Sequence, residues 1–312
     1  MLLAVAGCSF QPIAASSDAT TSPDSGSPGD GTGDPDAAGV SCLERWKTGP
    51  LALATPTPLP NVNSSSEDRD PYLTGDERTL YFASRRTGSQ GADVYVALRA
   101  LPDGAFPAPA KAQDFDSSSD DTKMTLSGDG LLAFVSSMRG GGEGNADLWQ
   151  ASRTATTTPF TSFDQAQLAA VNDTDFQLDP AISVDGLTLY FATGVSPQRI
   201  VVSRRAAIAD DFPAPQPLIS SGAGDADPAI SADELVIVFA SNRTGSGFGG
   251  GNLWYATRAA KTDPFGEPQP VPNVNTNNND SDPMLSRDGC RLYFAADGGI
   301  AGYELMVADV VP

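Results

Sequence analysis

Paired aspartates recur along the chain at intervals, and their type and spacing could support chemistry. The pairs are Asp68 and Asp70, Asp120 and Asp121, Asp173 and Asp175, Asp225 and Asp227, and Asp280 and Asp282. Ca²⁺ prefers carboxylate and carbonyl oxygens, so converging pairs would hold calcium; they would also attract a basic partner. We prefer a structural interpretation, because aspartates that recur with a repeat accept backbone N–H bonds in turns. We therefore expect an acidic face without catalytic residues or cofactor, with Ca²⁺ as the alternative left open.

The composition excludes several kinds of site. The chain has no histidine, which excludes imidazole bases, Ser-His-Asp triads and histidine metal ligands. It has 39 Asp and Glu against 19 Lys and Arg, a formal charge of −20. Binding to a phosphate backbone needs clustered Lys and Arg, so we expect no nucleic-acid partner.

The N-terminal segment has the pattern of a bacterial lipoprotein. Val-Ala-Gly-Cys at residues 5–8 matches a lipobox, which predicts lipid attachment at Cys8. Because a complete signal peptide is longer, we interpret residues 1–7 as a truncated lipoprotein signal. Residues 8–45 are rich in Ser, Pro, Gly and Asp, which predicts a disordered tether, and residues 46–312 form the folded domain. An apolar terminus with an incidental cysteine is the alternative.

Five copies of one repeat must position the aspartates. Each copy has an acidic start, often Asp-Pro, then a turn that usually contains Asp-Gly, and then an apolar run through a Phe. The copies are DRDPYLTGDERTLYFAS (68–84), DTKMTLSGDGLLAFVS (121–136), QLDPAISVDGLTLYFAT (177–193), DADPAISADELVIVFAS (225–241) and DSDPMLSRDGCRLYFAA (280–296). Their Phe residues are 52, 57, 48 and 55 positions apart. This period suits a four-stranded propeller blade with long loops.

The order of the runs predicts how the ring closes. Most copies supply three β-like runs and a proline-rich fourth, which belongs at the blade's outer edge because proline is tolerated there. A proline-rich element at residues 55–63 precedes the first copy, and the last copy lacks one. An N-terminal strand therefore completes the last blade. We predict an all-β, five-bladed β-propeller in preference to six blades.

This closure brings two cysteines together. Cys42 lies shortly before the closing strand, and Cys290 lies in the first turn of the last copy. In an oxidising compartment an even pair forms a disulfide, which would join the ends of the ring. Two reduced cysteines are the alternative.

An arginine follows the apolar run in several copies. In the first two copies the next run begins with an aspartate. We expect Arg86 to pair with Asp93, and Arg139 with Asp147, as structural ion pairs within a blade.

The pattern Asp-Pro-x-x-Ser-x-Asp-Gly-x-x-Leu-Tyr-Phe-x-Ser-x-Arg, followed by Gly-x-x-Asp-Leu-Tyr, resembles the TolB-type repeat, which is related in shape to WD-type propellers. The resemblance covers roughly residues 55–312 in five copies. It implies an envelope scaffold or partner-binding platform. Copy two departs from it where Lys123-Met124 replaces Asp-Pro, and copy three departs at residues 196–199, which replace the glycine-rich hairpin.

These features together predict a non-enzymatic envelope lipoprotein. We expect a monomer that binds an envelope protein through its propeller and meets the membrane only through the lipid. The expected location is the outer membrane, on its periplasmic or surface face. The alternative is a glycan-binding or glycan-active propeller that uses carboxylates of its channel.

Overall fold

The folded part of the chain is built almost wholly of short antiparallel strands. The structure, a computed structural model, describes residues 40–89, 91–298 and 302–311, and the predicted lipid site at Cys8 lies outside them. In chain order its elements are α1 (Cys42–Thr48), β1 (Thr57–Pro58), β2 (Asp68–Leu73), β3 (Thr79–Ser84), β4 (Asp93–Leu98), β5 (Ala110–Lys111), β6 (Asp121–Leu126), β7 (Leu132–Ser137), β8 (Asp147–Ser152), β9 (Gln177–Ile182), β10 (Thr188–Thr193), β11 (Arg199–Arg204), β12 (Gln216–Ile219), β13 (Asp225–Ile230), β14 (Val236–Ser241), β15 (Asn252–Thr257), β16 (Gln269–Pro270), β17 (Asp280–Leu285), β18 (Arg291–Asp297) and β19 (Tyr303–Asp309).

The strands form five sheets, which are the blades of a five-bladed propeller. Blade 1 is β2–β5, blade 2 is β6–β8, blade 3 is β9–β12, blade 4 is β13–β16, and blade 5 is β17–β19 with β1. In blade 2 a single bridge between Gln150 and Asp164 takes the place of a fourth strand. The first strand of each blade contacts the first strand of the next blade in a closed cycle, so β2, β6, β9, β13 and β17 surround the channel. The predicted fold is confirmed.

Hydrophobic cores lie between neighbouring blades. Val236 and Val238 of blade 4 share one core with Leu285 and Phe294 of blade 5. The second strands are therefore covered on both faces, and β10 and β14 are buried along their whole length. Their continuous apolar sequence follows from this burial.

The ring closes through residues from both ends of the folded domain. β1 pairs with β19 antiparallel, so the N-terminal strand completes blade 5 as predicted. Cys42 and Cys290 form a disulfide with a Cα–Cα distance of 4.9 Å, which confirms that pairing. Cys42 begins the short helix α1, and Trp46 of this helix is buried and donates from Nε1 to Gly289 O at 2.9 Å. Sequence periodicity does not predict α1, because tertiary contacts hold such a short helix.

Among the described residues, no helix has the length and apolar character needed to cross a membrane.

Candidate functional site

An irregularity in the innermost strands turns one side chain of each blade. Pairing between the first and second strands shifts register near the third residue, as between Arg69 and Tyr72. In blades 1, 3, 4 and 5 that third residue is an aspartate with a left-handed backbone, at φ of 56°, 57°, 53° and 54°. Aspartate adopts this conformation more readily than most residues. Residues two apart on a regular strand face the same way, so the irregularity gives the third residue a direction of its own.

The third residues form a ring around the channel, which we call the carboxylate ring. Its members, in blade order, are Asp70, Lys123, Asp179, Asp227 and Asp282. All five are buried, with 7%, 3%, 8%, 8% and 1% of their surfaces exposed. The ring therefore holds four carboxyl groups and one lysine away from bulk water, where each charge needs a partner.

Asp282 is the ionised member of the ring. Arg69 Nε donates to Asp282 Oδ2 at 3.1 Å, and Ser281 Oγ donates to the same oxygen at 2.9 Å. Burial opposes ionisation of Asp282, but the charges of Arg69 and Lys123 outweigh it and lower its pKa to about 2. The Asp282 carboxylate in turn raises the pKa of Arg69.

Asp70 and Asp179 are the members whose pKa values are raised well above the usual range. Burial and the negative charge of Asp282 raise the pKa of Asp70 well above its usual range, and Asp70 shares a hydrogen bond with Asp282. Burial and the charge of Asp227 do the same to the pKa of Asp179, which shares a hydrogen bond with Asp227. The pKa of Asp227 is also raised by burial and by Asp282. The ring thus contains two carboxyl pairs, Asp70 with Asp282 and Asp179 with Asp227.

A charge count gives the same picture. Arg69 and Lys123 are the two cations whose charges act on these four carboxyl groups. Two cations balance two carboxylates, so an electrically neutral ring keeps two protons. Lys123 Nζ also donates to Pro283 O at 3.3 Å, which holds the ammonium group at the channel.

A cavity opens at each end of the innermost strands. The acidic cavity, of about 320 Å³, is lined by Arg69, Asp70, Asp179, Asp227 and Asp282, with Glu67, Arg85 and Gln198 at its border. The turn cavity, of about 550 Å³, is lined by the ends of the same strands and the following turns, including Tyr72, Tyr81 and Arg287. The ring carboxyls face the acidic cavity, whereas Lys123 borders the turn cavity.

The predicted aspartates that begin the innermost strands lie elsewhere. Asp68, Asp121, Asp225 and Asp280 are the first residues of β2, β6, β13 and β17, and each is fully buried. Asp225 shows the usual arrangement, which we call the outer clamp. Its Oδ1 accepts from Ser241 Oγ at 2.6 Å and Arg243 Nη2 at 2.7 Å, and its Oδ2 accepts from Ser221 N.

Arg86 and Arg139 belong to outer clamps and not to the pairs that we expected. Arg86 Nη2 lies 2.7 Å from Asp68 Oδ1, and Arg139 Nη2 lies 2.6 Å from Asp121 Oδ1. The predicted partners Asp93 and Asp147 were wrong, because each arginine turns toward the first strand of its own blade.

The remaining predicted aspartates lie outside the ring. Asp120 accepts from Arg85 and from Ala92 N, and Asp173 and Asp175 lie in the loop before β9, where Asp173 holds Gln177. The third residues of the innermost strands in blades 2 and 3 are instead Lys123 and Asp179, which the pattern of paired aspartates does not include. Aligning the Asp-Pro dipeptides at 70, 179, 227 and 282 would have found Asp179.

One further acidic group lies between blades 1 and 2. Oxygen atoms of Asp93, Asp116 and Asp121 lie within 4.8 Å of one another. Lys111 Nζ already lies 2.9 Å from Asp93 and 2.7 Å from Asp116, so a lysine ammonium provides the cation there.

The comparisons with known proteins find likeness in structure alone. No protein-family model and no characterised protein sequence matches the chain. The catalytic domain of an α-L-arabinofuranosidase from Coprinopsis cinerea is similar, with a TM-score of 0.57 and 10% identity over 84% of this chain and 96% of that one. The α-L-arabinofuranosidase of Lactobacillus brevis has a TM-score of 0.55 and 14% identity, covering 81% of this chain and 92% of that one. TolB of Acinetobacter baumannii has a TM-score of 0.47 and 12% identity; the match covers 80% of this chain and only 56% of TolB.

These structures correct one expectation. We predicted a protein that is not an enzyme, and the similar structures include several glycoside hydrolases, among them a xylanase from Bacteroides thetaiotaomicron. A propeller of this kind therefore gives no ground for excluding catalysis. Activity has to be argued from the site, since one fold serves many functions.

Proposed function

We propose that this protein binds a glycan chain in the acidic cavity and hydrolyses a glycosidic bond with carboxyl groups of the carboxylate ring. The observation that carries the proposal is the ring itself, in which four buried carboxyl groups, some with raised and one with a lowered pKa, line one cavity. Glycoside hydrolysis needs one carboxylic acid and one carboxylate on either side of the scissile bond. Histidine is not required for this chemistry, so its absence is compatible with the proposal.

The acid and the base come from different pairs. Asp70 and Asp282 share a hydrogen bond, as do Asp179 and Asp227, so no sugar fits between the members of one pair. Glycosidases separate their two carboxyls by about 5–9.5 Å. Asp70 and Asp227 belong to different pairs, and both reach the acidic cavity, with 7% and 8% of their surfaces exposed.

We assign the general acid to Asp70 and the general base to Asp227. Asp70 retains its proton because burial and Asp282 raise its pKa. Burial also raises the pKa of Asp227, but less than that of Asp70, because the hydrogen bond from Asp179 and the charges of Lys123 and Arg69 favour its ionised form. Environments that drive neighbouring carboxyl pKa values apart separate acid from base in this way. Asp282 and Asp179 then act as positioning residues for their partners.

The similar structures support the proposal in one respect. The proteins from Coprinopsis cinerea and Lactobacillus brevis are named as α-L-arabinofuranosidases, and their folds match most of this chain. Pentose-containing polysaccharides are therefore the first substrates to test.

Hydrolysis assays of the wild-type protein and two variants test this function. The panel contains arabinan, arabinoxylan, xylan and 4-nitrophenyl glycosides of arabinofuranose, xylose and galactose. Asp227→Asn should lower turnover by about 10²–10⁴-fold, the usual contribution of an acid or base. Asp175→Asn is the matched control, because it makes the same change at a half-buried loop position outside the ring, and it should leave turnover unchanged.

Two results would contradict the proposal. One is turnover of a panel substrate that Asp227→Asn and Asp70→Asn leave unchanged. The other is a wild-type protein that hydrolyses none of the panel and shows no glycan binding by calorimetry.

The lipid anchor and the envelope location are further proposals that rest on the sequence at residues 5–8. Intact mass of the protein expressed from its native locus tests them. A diacylated or triacylated species that begins at Cys8 would support the anchor, and an unmodified species would refute it.

A further inference from the structure

Blade 5 has lost the cation of its outer clamp but keeps the carboxylate. In blades 2 and 4 the clamp aspartate faces a serine across the ladder and is bound by the arginine two residues after that serine. In blade 5 the corresponding positions are Ala296 and Gly298, because Asp280 pairs with Ala296. Asp280 Oδ2 accepts from Thr276 N at 2.6 Å and from Thr276 Oγ1 at 3.1 Å. Asp280 Oδ1 is buried and has no hydrogen-bond partner.

Blade 3 also has no clamp arginine, and in this blade the clamp aspartate is replaced by a neutral residue. There too the serine and arginine are absent, with Thr193 and Val195 in their positions. The first residue of the innermost strand is Gln177, a neutral side chain, which donates to Asp173 and accepts from Asp173 N. Blade 3 thus lost cation and anion together. Blade 5 kept a buried anion, which is costly without a compensating cation.

A second unpaired oxygen lies beside Asp280. Asp280 N donates to Gly251 O at 2.9 Å, which places Asp280 next to Asn252, the first residue of β15. Asn252 Nδ2 donates to Gly249 O and Gly250 O, which fixes the orientation of the amide. Asn252 Oδ1 is buried and has no hydrogen-bond partner.

The junction between blades 1 and 2 shows what fills the equivalent space. The counterparts of Asn252 and Asp280 are Asp93 and Asp121, whose oxygens lie within 4.8 Å of each other; Lys111 binds Asp93, and Arg139 binds Asp121. In blade 1, Lys111 lies opposite Tyr95 across the ladder. In blade 4 the residue equivalent to Tyr95 is Trp254, and the residue opposite it is Pro270, which carries no charge. The junction of blades 4 and 5 therefore lacks both the clamp arginine and this lysine.

Asp297 adds a second negative charge at this junction. It is the neighbour of Ala296 in β18, and its N–H donates to Asn279 O at 2.8 Å. Burial of Asp280, reinforced by the charge of Asp297, raises the pKa of Asp280 to about 6.

We propose that a calcium ion binds between blades 4 and 5, held by Asp280 Oδ1 and Asn252 Oδ1. The ion replaces the guanidinium and ammonium groups that neutralise the equivalent carboxylates in other blades. Both ligands are hard oxygen atoms, and water completes the coordination, which suits Ca²⁺ better than a transition metal. This site lies at a blade junction outside the channel and is independent of the glycan site.

Calorimetric titration and thermal unfolding of the intact protein test the site, with CaCl₂ as the titrant and EDTA-treated protein as the reference. We expect one calcium ion to bind the wild-type protein. Calcium at about 100 times its Kd should raise the Tm by about 5 °C or more. Asp280→Gln copies the neutral side chain of blade 3, and it should abolish the calcium-dependent shift.

A second variant restores the cation within the chain. Ala296→Ser combined with Gly298→Arg reproduces the clamp of blade 4, and a Cβ at Gly298 would meet no atom closer than 3.4 Å. This variant should show a higher Tm in EDTA than the wild type and no response to calcium. Asp227→Asn controls for binding in the channel and should keep the full calcium response.

Three outcomes would overturn the proposal. They are no heat of calcium binding in the wild type, a calcium response that survives both junction variants, and loss of the response in Asp227→Asn. The glycosidase assay is read separately, so its failure leaves this result intact.

Discussion

Two aspartates of β13 lie two residues apart, and the propeller gives them opposite environments. Asp225 belongs to an outer clamp, where a serine, an arginine and a backbone N–H satisfy both oxygens. Asp227 belongs to the carboxylate ring, where its neighbours are other carboxyl groups at the floor of a cavity. The same residue type thus stabilises the blade at one position and carries the proposed chemistry at the other. The left-handed residue separates the two roles.

Exchanging each of these aspartates for asparagine should give the largest difference in the free energy of unfolding between the two positions. Asp225→Asn leaves the guanidinium of Arg243 without its carboxylate and should lower the free energy of unfolding by about 3–5 kcal/mol. Asp227→Asn removes one negative charge from a crowded acidic ring, so stability at pH 7 should be unchanged or higher. Urea denaturation of both variants measures the difference. Equal losses in the two variants would show that ring and clamp are both structural.

Replacing the lysine of the ring tests the charge count. Lys123→Met removes one of two cations, so the ring must retain a further proton, and the free energy of unfolding should fall by about 2 kcal/mol at pH 8. The loss should be smaller at pH 5, because ring carboxyls with raised pKa values are protonated there. Denaturation curves at the two pH values measure this difference, and a loss independent of pH would contradict the charge count.

Asp280 in blade 5, which has no clamp arginine, should give stability a pH dependence opposite in sign to that of the clamp aspartate Asp225, because the pKa of Asp280 is raised and that of Asp225 is lowered. The pKa of Asp280 is about 6 in the folded protein and about 3.9 in an unfolded chain. The folded state therefore binds the proton more tightly, and stability falls as the pH rises from about 4 to about 6. In EDTA this loss should be about 2 kcal/mol, and Asp280→Asn should abolish it. A wild-type stability that rises over this window through Asp280 would contradict the assignment.

Arg69, which binds the ring carboxylate of Asp282, should set the acid limb of the pH profile of the proposed activity. Arg69 lowers the pKa values of Asp282 and Asp227, so Arg69→Gln should move the acid limb of kcat/KM upward by about one pH unit. The alkaline limb should fall where Asp70 loses its proton. Profiles of the two proteins on one substrate measure the shift, and coincident profiles would exclude this role for Arg69.

Much of the fold could be predicted because each copy of the repeat contains the turn and strand pattern of one blade. The copies at 68–84 and 280–296 share a turn and an apolar run, and the order of elements places the N-terminal strand in the last blade. Cys42 and Cys290 followed from that closure. The short helix α1 could not be predicted, since its stability comes from Trp46 packing against a distant turn.

The site was harder to predict than the fold. Searching for adjacent acidic residues selected Asp173 and Asp175, which lie in a loop, and omitted Asp179, which lies in the ring. The predicted pairing of Arg86 with Asp93 likewise relied on their closeness in the sequence, whereas Arg86 binds Asp68. The two errors have different causes. The ring position depends on the left-handed third residue of the innermost strand, whereas Arg86 turns toward Asp68 on the first strand of its own blade.

The sequence by itself determined the five blades, the closing strand and the disulfide, because strand periodicity and turn residues act locally and recur in every copy. Only the tertiary structure decided which aspartates share protons and which bind arginine. Charge partners such as Arg69 with Asp282 are 213 residues apart, and their pKa values depend on burial at the centre of the ring. That burial exists only once five blades surround one channel, since a single blade leaves its first strand exposed to water.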